Sequence, residues 1–263
     1  MELDDYLERF GPNADRQYLE DHFPRFIGTW KRAKERWTWT DACVLDVGAH
    51  WLYQSVLFAL DGHQVIAADL ANPLDLPEAI ATAEAHGIRR IVYETLNDST
   101  ALDALPESSV DVVLFCEILE HLTFNPVAMW KAIYRVLRPG GRIILTTPNY
   151  YSLAAMGWRF RRFFSGHGGG ISISDILHVP THSPHWKEYS AREIEAYFYA
   201  LSNDFEINVM EQVSWSAEHE ELNWKGRLAH DRGNLLPPFK DDLYAEIDLV
   251  EKSAGINIEP GWD

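Results

Sequence analysis

Val112-Val113-Leu114-Phe115-Cys116 is an unbroken apolar run that stops abruptly at Glu117, Glu120 and His121. A strand that is apolar on both faces must be covered on both faces, which points to a parallel sheet with helices above and below it. Residues three and four apart share one face of a helical turn. Glu117, Glu120 and His121 are therefore expected to converge just past the carboxyl end of this strand. Open α/β sheets bind their ligands at that edge. Three ionisable groups held together call for a ligand, and a divalent cation or a reacting hydroxyl would suit them.

The flanking sequence repeats the strand-helix alternation. Strands are expected at Cys43 to Val47, Val65 to Asp69, Ile91 to Glu94, Asp111 to Cys116 and Arg142 to Thr147. Helices are expected at Gln54 to Leu60, Pro73 to Ala85 and Pro126 to Leu137, the last stopped by Arg138-Pro139-Gly140-Gly141. Such alternation implies right-handed crossovers. Ser190 and Glu193 form a capping-box pattern before a helix ending at Leu201. Two late strands, Phe205 to Val213 and Tyr244 to Val250, follow. The expected fold is α/β: a Rossmann-like, seven-stranded, mostly parallel sheet with helices on both faces, an N-terminal helical segment and an insertion after the fifth strand. Residues 1–40 read as a helical lid or buttress and 41–149 as the core. Residues 150–189 read as an insertion on the substrate side, and 190–263 complete the core.

Composition narrows the function. Apolar residues make up 46% of the 263, enough for a sizeable core, and no apolar run approaches the ~20 residues a bilayer span requires. The acidic start, Met1-Glu2-Leu3-Asp4-Asp5, lacks the pattern of a signal peptide, so a cytoplasmic location is expected. The formal net charge of -17 disfavours nucleic acid and anionic membranes as partners. Arg159, Arg161 and Arg162 form a local exception among Trp158, Phe160, Phe163 and Phe164; they suit an anion contact or a solvated helix. Cys43 and Cys116 read as small buried core residues. The ten tryptophans suit a flat or polyhydroxylated ligand as well as packing. The aromatics of the first 40 residues suit a lid or a homodimer interface.

Asp46-Val47-Gly48, followed by Asp69 at the end of the next strand, forms a nucleotide-binding pattern. Glycine lets a ligand approach the backbone, and the acid accepts hydrogen bonds from ribose hydroxyls. Ala49, His50 and Trp51 follow Gly48 where a dinucleotide fingerprint would place more glycine. That counts against NAD and favours an adenosyl ligand without phosphates.

The ordered set of Asp46/Gly48, Asp69, Asp111 to His121, Leu137-Arg138-Pro139-Gly140-Gly141 and Thr147-Pro148-Asn149 resembles the class I S-adenosylmethionine-dependent methyltransferases over residues 40–200. The resemblance implies S-adenosylmethionine as cofactor. Asp46 and Gly48 would lie at its methionine end, Asp69 at the ribose, Asn97 or Asp98 near the adenine, and Cys116 beside the site. Glu117-Ile118-Leu119-Glu120-His121 resembles the Glu-x-x-Glu-His segment of metal-assisted O-methyltransferases, such as those of the ubiquinone pathway and of small-RNA 3′ ends. His185-Trp186-Lys187-Glu188-Tyr189 is similar to the downstream histidine segment of the latter group. The implied metal set is Glu117, Glu120, His121, His185 and His182, holding Mg²⁺ or Mn²⁺. Without a metal, His121 or His182 is the expected general base, with Glu120 beside it. Asp175 and Tyr189 are further candidate substrate contacts, and His178 shares the same histidine-rich loop.

These features favour an O-methyltransferase acting on a small acceptor. A sugar or oligosaccharide is the first expectation, because a metal binds a vicinal diol without a basic groove. A quinone or phenolic precursor is the alternative. A non-catalytic adenosyl-binding scaffold is the reading from another class.

Overall fold

The computed structural model describes residues 1–95, 99–151, 172–178, 187–215 and 240–259. Seven strands form one sheet in the order β3-β2-β1-β4-β5-β7-β6. These are β1 Cys43–Val47, β2 Gln64–Leu70, β3 Arg89–Tyr93, β4 Val110–Cys116, β5 Leu137–Pro148, β6 Phe205–Val213 and β7 Asp242–Leu249. The first five run parallel, and β7 is antiparallel to both neighbours. Helices α1 Leu3–Phe10, α2 Arg16–Glu35, α3 Tyr53–Leu60, α4 Ala71–Leu74, α5 Pro77–Ala85, α6 Val127–Val136, α7 Ile173–His178 and α8 Ala191–Leu201, with short 3-10 helices at Ser99–Ala104 and Leu119–His121, complete the described elements. The expected fold is the observed one.

Strand β4 shows why its sequence has no polar face. Val113 and Phe115 enter a cluster with Trp130 and Ile133 of α6 and Tyr197 and Phe198 of α8. Val112 and Leu114 enter the opposite cluster with Phe23 and Ile27 of α2 and Phe58 of α3. Helix α2 is capped by Asp15, whose carboxylate accepts from Tyr18 N at 3.1 Å. Tyr6 of α1 donates its hydroxyl to Tyr53 O at 2.7 Å, tying the N-terminal helices to the start of α3. The capping box of α8 is formed, with Ser190 Oγ accepting from Glu193 N and Glu193 Oε2 accepting from Ser190 N.

Two element boundaries differ from expectation. The helix expected over 73–85 is broken: α4 ends at Leu74, Leu76 is extended at φ -68 and ψ 143, and Pro77 begins α5 at a position where its missing N–H costs nothing. The expected stop at Arg138-Pro139-Gly140-Gly141 belongs instead to β5, which pairs Leu137 with Val110 and then shifts register. Glycine permits this approach, since a Cβ at Gly141 would lie 2.9 Å from Asp111 O. Most of the segment expected as an insertion lies outside the described residues. Its two ends meet beside β5, where Tyr150 N donates to Tyr189 O at 2.9 Å. Tyr189 is buried there at 1% exposure, a core residue rather than the expected substrate contact. Among the described residues, no helix is long and apolar enough to cross a membrane.

Candidate functional site

The strand order reverses between β1 and β4, and the crevice of such a switch point lies outside the carboxyl ends of the strands. A cavity of about 510 Å³ occupies it, lined by residues following β1, β2 and β4 and by one face of α2. Its size suits a cofactor together with part of a second ligand.

Asp46, near the end of β1, lines the cavity and is 3% exposed. Ser55 Oγ donates to its Oδ2 at 2.6 Å. Burial pushes this carboxyl up to about 7, against the Ser55 hydrogen bond and with help from the Asp69 charge. Gly48 stands at φ +75, and its N donates to Ala68 O at 2.8 Å. A Cβ at this position would lie 2.0 Å from Ile118 Cδ1, so the turn after β1 packs directly on the turn after β4. His50 supplies the second left-handed position, at φ 48. Its N donates to Asp69 Oδ2 at 2.8 Å, and Leu70 N donates to Oδ1 at 2.7 Å. Each carboxylate oxygen of Asp69 retains a lone pair for a ligand hydroxyl. One glycine suffices here because the Asp69 carboxylate holds the loop that carries His50 and Trp51.

The acids after β4 do not share a helical face. Glu117 is left-handed at φ 57, outside any helix, and Leu119–His121 is a tight three-residue turn. Each group consequently finds its own surroundings. Glu117 lines the cavity, with Oε2 3.5 Å from Arg25 Nη1. Burial pushes its carboxyl up, and the Arg25 charge opposes this. Glu120 turns to the sheet, where Thr147 Oγ1 donates to its Oε2 at 2.9 Å. Burial, reinforced by Glu117, pushes Glu120 up to about 8. His121 lines the cavity with its side chain 56% exposed, Nε2 lying 3.7 Å from Glu120 Oε1. Cys116 borders the cavity, and burial pushes its thiol up, away from nucleophilic chemistry.

Among the described residues, no group of three or more acids, histidines or cysteines is arranged to hold a metal ion. Glu117 is instead paired with an arginine and Glu120 with a threonine. Glu117, Glu120 and His121 alone therefore do not form the converging set expected of them. His182, His185, Asn97 and Asp98 lie outside the described residues, as does the side chain of Asp175. His178 lies in α7, with its Nδ1 2.6 Å from Ser174 O.

Helix α2 contributes what the sequence reading missed. Tyr18, His22, Arg25 and Phe26 face the cavity. Arg25 lies over the Phe26 ring at 5.3 Å, and Tyr18 meets Trp51 edge-on at 5.0 Å. Burial pushes the imidazoles of His22 and His50 down, toward the neutral form. Positions 18, 22, 25 and 26 follow helical spacing, a pattern legible in the sequence once the helix is set over the sheet edge. Asp242, opening β7, also carries a carboxyl pushed up to about 8 by burial and then by Glu117.

A family model described as a methyltransferase domain matches residues 45–145. A ubiquinone biosynthesis O-methyltransferase from Xanthomonas oryzae pv. oryzae is 36% identical over 122 residues, covering 44% of this chain and 48% of that protein. One from Pseudomonas putida is 26% identical over 196 residues, covering 65% and 77%. The chain thus spans about half the length of the first of these relatives. An S-adenosylmethionine-dependent methyltransferase structure from Mesorhizobium loti superimposes with a TM-score of 0.52 at 17% identity, covering 85% of this chain and 99% of that one. Residues 45–145, from β1 to β5, are thus similar to a methyltransferase domain, and the fold is shared with a solved structure of that kind.

Proposed function

We propose that this protein transfers the methyl group of S-adenosylmethionine to a hydroxyl of a phenolic or quinone-precursor acceptor. The carrying observation is the cavity at the β1/β4 crevice. Asp46, Asp69 and Glu117 make its base acidic, while Tyr18, Phe26 and Trp51 give it aromatic walls. The acids complement a cationic cofactor, and the walls complement a planar acceptor. When bound, the cofactor supplies an electrophilic methyl group on a positively charged sulfur. Asp46 is assigned to the cofactor's ammonium and Asp69 to its ribose hydroxyls, with Cys116 forming part of the wall. By resemblance, Asn97 and Asp98 belong to the adenine side. His121, at the cavity edge beside Glu120, is assigned to take the acceptor's hydroxyl proton.

The sugar acceptor expected from the sequence is set aside. It rested on a metal holding a diol, and two of the implied ligands, His182 and His185, lie outside the described residues. The two relatives named above are O-methyltransferases of ubiquinone biosynthesis, which fits the phenolic alternative. Calorimetric titration with S-adenosylmethionine, followed by turnover on catechols and on a saccharide panel with and without chelator, tests the proposal. Cofactor binding and chelator-insensitive methylation of catechols are expected. Absence of cofactor binding, or turnover confined to saccharides, overturns it.

A further inference from the structure

We infer that Ser55 is a positioning residue for the cofactor: buried on α3, it holds one carboxylate oxygen of Asp46 so that the other is presented to the ammonium group of the ligand. The inference rests on the methyl-transfer reading above and deepens it. Ser55 is fully buried, at 0% exposure, and is followed in the helix by the apolar residues Val56, Leu57 and Phe58. A buried hydroxyl without a partner is costly. Serine inside a helix commonly turns back to the carbonyl four residues earlier. Ser55 instead donates across to β1, from its Oγ to Asp46 Oδ2 at 2.6 Å. Among the described residues it is the one donor to that carboxylate. Asp46 lines the cavity and Ser55 does not, so Ser55 acts on a ligand through Asp46 and not by touching it.

The N-terminal helices fix the place of this hydroxyl. Tyr53, the first residue of α3, accepts at its carbonyl from the Tyr6 hydroxyl at 2.7 Å and at its own hydroxyl from Asp15 N at 2.9 Å. The turn of helix that carries Ser55 is thus pinned from α1 and from the cap of α2. Around Asp46, Asp69 of β2 adds negative charge, while the Cys116 thiol of β4 stays neutral. Tyr18, His22 and Arg25 of α2, Tyr53 of α3, and His50, Glu117 and His121 line the same cavity, and none of them changes when Ser55 is replaced. The Ser55 hydrogen bond works against burial and favours the charged carboxylate. An ammonium group gains most from a partner that is already ionised and already oriented.

The test is calorimetric titration of the whole protein with S-adenosylhomocysteine from about pH 6 to about pH 9. Losing one donor to a carboxylate raises its titration by about one pH unit. Ser55→Ala is therefore expected to bind S-adenosylhomocysteine about 5-fold more weakly at about pH 7, where Asp46 of the wild type is about half ionised. The gap should close toward about pH 9, where Asp46 carries its charge in both proteins. Titration of the ligand's own amine is common to both proteins and cancels in the comparison. Methylthioadenosine keeps the adenosine and lacks the amino-acid end. Its affinity should change by less than about 2-fold, which separates a role through Asp46 from general damage to the site. In an Asp46→Asn background, Ser55→Ala should likewise cost less than about 2-fold, because the charge it serves is gone.

Three outcomes would each overturn the inference: S-adenosylhomocysteine binding unchanged by Ser55→Ala at every pH, an equal loss for methylthioadenosine, or an undiminished loss in the Asp46→Asn background. In all three the wild type still binds S-adenosylhomocysteine, and the methyl-transfer reading stands. A wild type that binds neither ligand removes that reading itself.

Discussion

At the scale of single residues, the site gathers acids whose ionisation burial makes costly. Asp46 is the clearest case: burial raises its carboxyl to about 7, against about 4 in an unfolded chain. The folded protein therefore binds more protons than the unfolded one between those values. Stability contributed through Asp46 falls as pH rises across this window and stays low above it. A cationic ligand reverses the balance by favouring the carboxylate. Asp46→Asn is accordingly expected to raise the melting temperature of the ligand-free protein at about pH 8 and leave it nearly unchanged at about pH 4. The same variant should weaken S-adenosylmethionine binding by about 10-fold or more, the worth of a charge-assisted hydrogen bond. Wild-type affinity should itself decline as pH falls below about 7. Thermal melts at both pH values, with calorimetry alongside, check the three outcomes. A destabilised Asp46→Asn protein at the higher pH would show that Asp46 serves the fold more than the ligand.

At the scale of elements, the site depends on the turn after β1 lying directly on the turn after β4. Gly48 allows this twice over, through its left-handed backbone and through the space Ile118 fills. Gly48→Ala is expected to cost about 1–2 kcal/mol from backbone conformation alone, plus the overlap with Ile118. Adding Ile118→Ala should recover the overlap and leave the conformational cost, a split readable in denaturant midpoints. Recovery of full stability would mean that the left-handed conformation matters little. The strands about these turns were legible because a strand covered on both faces writes itself as an apolar run, as at Val112 to Phe115. Asp46, Gly48 and Asp69 were legible because each sits within a few residues of such a run. Arg25 was not, since 92 positions separate it from Glu117, and only the packing of α2 brings them together. The expected helical face through Glu117, Glu120 and His121 failed for a local reason. Glu117 adopts φ 57 as the chain leaves β4, a conformation that periodicity does not encode. His50 and Glu117, both left-handed, line the same cavity, the kind of place where backbone strain collects at binding sites.

At the scale of the whole molecule, the charge of -17 would act with opposite sign on the two substrates proposed above. S-adenosylmethionine is cationic overall and is drawn to an acidic protein. An acceptor bearing a carboxylate would be repelled by the same field. Salt screens such long-range interactions, with a Debye length of about 8 Å at physiological ionic strength, while a partly buried contact such as Arg25–Glu117 is screened much less. Raising sodium chloride from about 0.05 M to about 0.5 M should therefore lower kcat/KM for the cofactor and raise it for a carboxylated catechol. A neutral catechol should change little, which separates steering from any effect of salt on the fold. Steady-state kinetics on the three substrates at both ionic strengths make the comparison. Salt effects of one sign on both charged substrates would place the recognition in local contacts and leave the protein's overall charge without a role in capture.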